Sequence, residues 1–190
     1  MAKPKKKMFT ILETIEFAAR LHAGQVRKIT GEPYICHVLR VAQYVEAYIP
    51  DYTENDLLVA ILHDTLEDTE VLKDEIIAHF TWGVYENVFW LTNPPRNGMK
   101  RAEYKKVINQ RLTGCPDKVQ QIKLCDRLDN IKCRNTDSLT TDQQRWILKY
   151  ASETEDLLEA IGDCNEKLCT AIRDEVASIR KALKKDKVST

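Results

Sequence analysis

The sequence is short of chain breakers and has no charge bias. Its 190 residues include six glycines and six prolines, gathered at a few points, so long helices with short links are expected. Twenty-nine Lys and Arg offset twenty-nine Asp and Glu, which leaves no global field to draw in nucleic acid or an acidic membrane. No apolar run approaches the roughly 18 residues a bilayer crossing needs. The N-terminal residues lack the apolar core of a signal peptide, and a cytoplasmic protein is expected. The six cysteines (Cys36, Cys115, Cys125, Cys133, Cys164, Cys169) form no C-x-x-C pair and no zinc-ribbon spacing. They read as reduced, mostly structural thiols. No stretch alternates strongly enough for a strand, and no repeat is present. An all-α chain remains: a single helical-bundle domain over 1–190, with basic tails at about 1–8 and 184–190.

Hydrophobic periodicity and breakers predict helices over 10–23, 34–48, 55–67, 72–80, 83–91, 101–112, 117–132, 142–161 and 164–183. Thr10 and Glu13 form a capping-box pattern at the first. Gly24, Gly31 and Pro33 punctuate a loop, Pro50 stops the second helix, and 92–98, with Pro94 and Pro95, is a further loop. Trp82, Trp90 and Trp146 sit at helical positions and read as core residues.

The stretch 60–69 (Ala-Ile-Leu-His-Asp-Thr-Leu-Glu-Asp-Thr) is what the chain is organised around. An apolar run from Leu57 to Leu62 leads into one histidine and three acids. On a continuous helix with His63 at zero, Asp64 falls at about 100°, Glu67 at about 40° and Asp68 at about 140°. One imidazole and three carboxylates thus share an arc at the end of a core helix. Gathering carboxylates there costs several kcal/mol unless hydrogen bonds or a cation compensate, and a divalent metal is the simplest compensation. His37, in the apolar context Ile35-Cys36-His37-Val38-Leu39, and Asp126, in Ile122-Lys123-Leu124-Cys125-Asp126, are the further ligand candidates. Two nitrogens and two carboxylates suit manganese, iron, magnesium or zinc. A core histidine held by hydrogen bonds is the competing reading of His37, and a pair with Arg127 or a helix cap that of Asp126.

The order His37, His63-Asp64, Asp126 resembles the HD superfamily of metal-dependent phosphohydrolases. Fuller stretches narrow it: Gln25-Val26-Arg27-Lys28, Gly31-Glu32-Pro33-Tyr34-Ile35-Cys36-His37, Leu62-His63-Asp64-Thr65-Leu66-Glu67-Asp68-Thr69, and Lys123-Leu124-Cys125-Asp126-Arg127-Leu128-Asp129-Asn130. These are similar to the hydrolase domain of the RelA/SpoT family and its small stand-alone alarmone hydrolases. The resemblance implies an all-α fold, one manganese ion, and removal of the 3′-pyrophosphate from guanosine tetra- and pentaphosphate. It implies that His37, His63, Asp64 and Asp126 hold the metal and that Glu67 and Asp68 orient and activate the attacking water. Arg27 and Lys28 would line the nucleotide pocket, and Asn130 would bind the ribose or phosphate. Two positions depart from the pattern: Val38 stands where the family usually has Pro, and Asp129 where it usually has His. Asp129 adds negative charge near a site for a polyanion and so bears on substrate identity. Arg96, Lys100 and Arg101 supply cations either for distal phosphates or for a solvated turn. Two other functions fit the same residues: hydrolysis of another nucleotide (a deoxynucleotide or a dinucleotide phosphate), and a non-catalytic nucleotide-binding module.

Overall fold

A computed structural model describes residues 8–132 and 139–185. The basic residues Lys3, Lys5, Lys6, Lys7 and Lys187, together with Cys133 and residues 134–138, lie outside the described residues. Among the described residues there is no strand, and the one extended pairing is an antiparallel bridge between Val26 and Pro33. The all-α expectation holds. The chain divides into two compact units. One takes the described residues up to Arg27 together with Gly31–Pro94; the other takes Lys28–Thr30 and the described residues from Pro95 onward.

The first unit is built round α3 (Glu54–Leu62). Every residue from Leu57 to Leu62 is buried, the signature of a helix covered on all sides. Its neighbours are α1 (Ile11–Leu21), α2 (Tyr34–Tyr48) and α6 (Trp82–Leu91). Thr53 caps α3 through a capping box: its hydroxyl accepts from the Asp56 N–H at 3.3 Å, and Asp56 Oδ2 accepts from the Thr53 N–H at 2.8 Å. Thr10 and Glu13 do the same for α1, as expected. Such caps each contribute about 1 kcal/mol.

The helix predicted over 55–67 is interrupted. Helix α3 stops at Leu62, and a four-residue turn of helix, α4 (Thr65–Asp68), follows a kink at His63 and Asp64. Two carbonyls of the last turn of α3 are taken by side chains: His63 Nδ1–H donates to the Ala60 carbonyl, and the Thr65 hydroxyl to that of Leu62, each at 2.7 Å. Side chains competing for backbone carbonyls in this way end helices. Helix α5 (Lys73–His79) then leads to α6.

The second unit packs α8 (Asp117–Lys132) against α10 (Glu166–Lys185) and α9 (Thr141–Ile161), with α7 (Arg101–Leu112) on α9 and a 3-10 turn at Gly162–Cys164. Lys184 and Lys185, expected in the C-terminal tail, belong to α10. Helix α8 is buried nearly all round, and Lys123, Asp126, Arg127 and Asp129 are among its buried residues. Buried charges need partners. Arg127 lies over the Tyr150 ring at 4.4 Å, and Lys123 pairs with Asp126 at 2.8 Å.

Two tryptophans depart from the core expectation. Trp82 is 56 % exposed and Trp146 41 %. Trp82 opens α6 at the surface, where the Lys73 ammonium sits 5.0 Å from its ring. The described cysteines are free thiols. Burial pushes Cys115 up to about 11 and Cys164 up to about 12, so both stay protonated at neutral pH.

Candidate metal centre

In the first unit, α2 and the end of α3 bring two imidazoles together. The rings of His37 and His63 lie 5.2 Å apart at 72°. Both side chains are buried, whereas Asp64 keeps 14 % of its side-chain surface open to solvent. Asp64 Oδ2 is 2.9 Å from His63 Nε2 and 3.6 Å from His37 Nε2. The three residues offer ligand atoms all within 4.8 Å of one another.

The hydrogen bond from His63 to Ala60 decides the chemistry of that ring. A carbonyl only accepts, so Nδ1 carries the hydrogen and, in the neutral ring, Nε2 presents its lone pair. That lone pair faces a carboxylate oxygen. Two acceptors 2.9 Å apart repel unless a proton or a cation lies between them. A backbone carbonyl fixing the tautomer of a buried histidine is the usual support of a metal ligand. Two imidazole nitrogens and a carboxylate oxygen fit a borderline or hard divalent ion.

Asp126 lies on α8 in the second unit and is 5 % exposed. Its Oδ2 accepts from Lys123 Nζ at 2.8 Å, and its Oδ1 accepts a hydrogen bond from Asn130 Nδ2, one helical turn on. Asn130, expected on the nucleotide, is placed here as a partner of Asp126. Asp129, the residue that departs from the family pattern, is fully buried.

Glu67 and Asp68 have different partners. Asn93, just after α6, donates to Glu67 from its backbone N–H at 2.9 Å and from its side-chain Nδ2 at 3.0 and 2.9 Å. Asp68 Oδ2 lies 3.2 Å from the Tyr34 hydroxyl. Burial raises the Asp68 carboxyl above its ordinary range, and the charges of Asp64 and Glu67 add to this; Tyr34 and His22 pull the other way. The kink at 63–64 replaces the single arc of a continuous helix, yet both acids still follow the ligand pair by about one turn.

Arg27 and Lys28 sit on the loop that the Val26–Pro33 bridge closes, with Arg27 N–H to the Glu32 carbonyl at 2.9 Å. Gly31 takes φ +69°, which a side chain at that position would resist. The Arg27 guanidinium lies over the Tyr34 ring at 5.7 Å, and Lys28 is exposed. Of the other cations, Arg96 donates to the Met99 carbonyl at 2.6 Å. Arg101 forks onto Glu153 at 2.6 and 2.8 Å, so that guanidinium is already committed. Burial pushes the Glu153 carboxyl up, but the hydrogen bonds and charge of Arg101 outweigh it and hold the group below its ordinary range.

Sequence reasoning missed two contributors. Tyr34 precedes His37 by three residues on α2, a spacing that puts both on one face. Asn93 gives no such signal, because its partner Glu67 is 26 positions away.

A family model described as "HD domain" matches residues 14–157. The human guanosine-3′,5′-bis(diphosphate) 3′-pyrophosphohydrolase MESH1 is 30 % identical over 166 residues, which cover 86 % of this chain and 90 % of that protein. An enzyme of the same name from Aquifex aeolicus is 38 % identical over 125 residues; the match spans 64 % of this chain and 17 % of that much longer protein. A solved structure described as a metazoan ortholog of SpoT that hydrolyzes ppGpp superposes with a TM-score of 0.73 at 24 % identity, covering 94 % of this chain and 97 % of that one. At that identity the likeness concerns the fold. No helix among the described residues is long and apolar enough to cross a membrane. With more than half of its length matched by the family model, and a relative of similar size aligned along most of both chains, the chain belongs to the HD domain family.

Proposed function

We propose that the chain is a metal-dependent phosphohydrolase that removes the 3′-pyrophosphate of guanosine tetra- or pentaphosphate, acting as one HD-type domain in the cytoplasm. The observation that carries the reading is the opposition of His63 Nε2 and Asp64 Oδ2 at 2.9 Å, two acceptors that need a proton or a cation between them, beside a second buried imidazole that a cation could share. The human relative's activity and its match along most of both chains support the choice of substrate.

His37, His63 and Asp64 would hold a divalent ion, with Asp126 as the fourth ligand and manganese as the ion. When bound, such an ion acidifies water and offsets phosphate charge. The chain's own groups do the rest. Asp68, whose carboxyl is raised, accepts the proton of the attacking water, and Glu67, fixed by Asn93, orients that water. The attack on phosphorus breaks its bond to the ribose O3′, which leaves as the 3′-hydroxyl with a proton equivalent to the one taken from the water, and frees pyrophosphate. Arg27 stacks on the base with a planar guanidinium, Lys28 meets phosphate charge, and Asn130 holds Asp126 and hydrogen-bonds the ribose or phosphate. Charge-assisted contacts of this kind fix a polyanion in place before the reaction.

The test is incubation of the purified protein with Mn2+ and guanosine tetraphosphate, products resolved by chromatography. GDP and pyrophosphate in equal amounts are expected, with no turnover after chelation. Release of orthophosphate, or cleavage only of a deoxynucleotide or dinucleotide, overturns the substrate reading.

A further inference from the structure

Tyr34 touches three parts of the site within the first unit. Its hydroxyl lies 2.5 Å from Asp64 Oδ2 and 3.2 Å from Asp68 Oδ2. Its ring stacks on His22 at 4.9 Å and 28°, and meets His37 edge-on at 5.3 Å. The Arg27 guanidinium lies over the same ring. The ring has little freedom. Tyr34 is the first residue of α2, and its N–H donates to the Gln25 carbonyl at 3.0 Å. The Gln25 side chain closes the circuit: it accepts from His22 Nδ1 at 2.8 Å and donates to the Asp68 carbonyl at 2.7 Å.

We infer that Tyr34 is a positioning residue: its hydroxyl sets the orientation of Asp64, and its ring carries Arg27. The inference rests on the reading of Asp64 as a metal ligand. An aspartate has two rotatable bonds, and its carboxylate swings unless something outside the coordination sphere holds it. A phenol on a helix-anchored ring is a stiff hydrogen-bond donor. It has one hydrogen, and the shorter distance assigns that hydrogen to Asp64. One group therefore sets the ligand, and the base-binding arginine rests on the ring that carries that group. If the residue were only packing, the ring alone would suffice.

Tyr34→Phe keeps the ring and removes the hydroxyl; Tyr34→Leu removes both. Mn2+ affinity is read by titration of the metal-free protein against a chelating dye, with no nucleotide present. Loss of a group that orients a metal ligand typically weakens binding tenfold or more. Y34F is expected to raise the Mn2+ Kd about tenfold and to lower kcat, with KM for guanosine tetraphosphate within about twofold of wild type. Y34L is expected to show the same loss of Mn2+ affinity and, in addition, a raised KM as Arg27 loses its platform. Either variant that folds decides the first point. A Y34F protein with wild-type Mn2+ affinity and kcat overturns the inference, as does one that only melts earlier with both parameters intact. An absence of turnover on the tetraphosphate fails the substrate reading alone, because the Mn2+ titration still judges Tyr34.

Discussion

Asn93→Ala tests the role of Glu67 without touching either acid. The wild-type carboxylate receives the Asn93 amide at 3.0 and 2.9 Å and the backbone N–H at 2.9 Å. Alanine keeps the backbone donor and loses the amide. A hydrogen bond to a charged group contributes about 1.5–3 kcal/mol when shielded from water. Glu67 is exposed, so about 1 kcal/mol is the fair figure here. At 1.36 kcal/mol per tenfold, kcat should fall about fivefold. Asn93→Asp adds a like charge about 3 Å from Glu67, worth about 1.4 kcal/mol more even at the dielectric constant of water, for a total loss of about fiftyfold. The assay is the initial rate of pyrophosphate release at saturating Mn2+ and guanosine tetraphosphate, alongside KM and Mn2+ Kd. Both constants should stay near wild type, since Asn93 contacts no candidate ligand. A wild-type kcat in N93D, or a loss carried by metal affinity, refutes the assigned role of Glu67.

Three further outcomes follow from the second unit. Burial first, and then the charges of Arg127 and Lys123, lower Lys105 to about 8. At pH 7 this lysine is charged folded and unfolded, and the native state bears the penalty; Lys105→Met should therefore stabilise by about 1–2 kcal/mol. Between pH 8 and the unfolded value of 10.5 the native lysine sheds its proton and the advantage shrinks, which denaturant melts across that window would read; a K105M protein less stable at pH 7 contradicts this. Glu153→Gln should destabilise by about 1 kcal/mol at pH 7 by leaving Arg101 unpaired. That deficit should vanish as pH falls through the lowered pKa of Glu153; a deficit unchanged by acid would contradict the pairing. Lys123→Met frees Asp126 Oδ2 and removes a positive charge, so Mn2+ should bind several-fold more tightly; unchanged affinity by isothermal titration would count against Asp126 as a ligand.

Much of this was legible in the residues. Helices at 34–48, 101–112 and 117–132 are found at those bounds, because Pro33, Pro50, Gly98, Gly114 and Pro116 bracket them. The union of His37 with His63 and Asp64 was readable because each lies in an apolar helical context. The break after Leu62 was not, since it depends on the His63 and Thr65 side chains taking carbonyls that periodicity assigns to the backbone. The 92–98 loop was visible, but not that the boundary between the two units falls between its two prolines. Trp82 and Trp146 show that helical position alone does not say which face a large residue takes. Tyr34 and Asn93 act through partners 30 and 26 positions away, and such pairs are set by packing.

The most direct test of the account is the Mn2+ stoichiometry of wild type and Asp64→Ala, measured by isothermal titration on metal-free protein. One ion per wild-type chain and none in D64A, with both proteins folded, is the predicted result. A D64A protein that binds Mn2+ as the wild type does would contradict it.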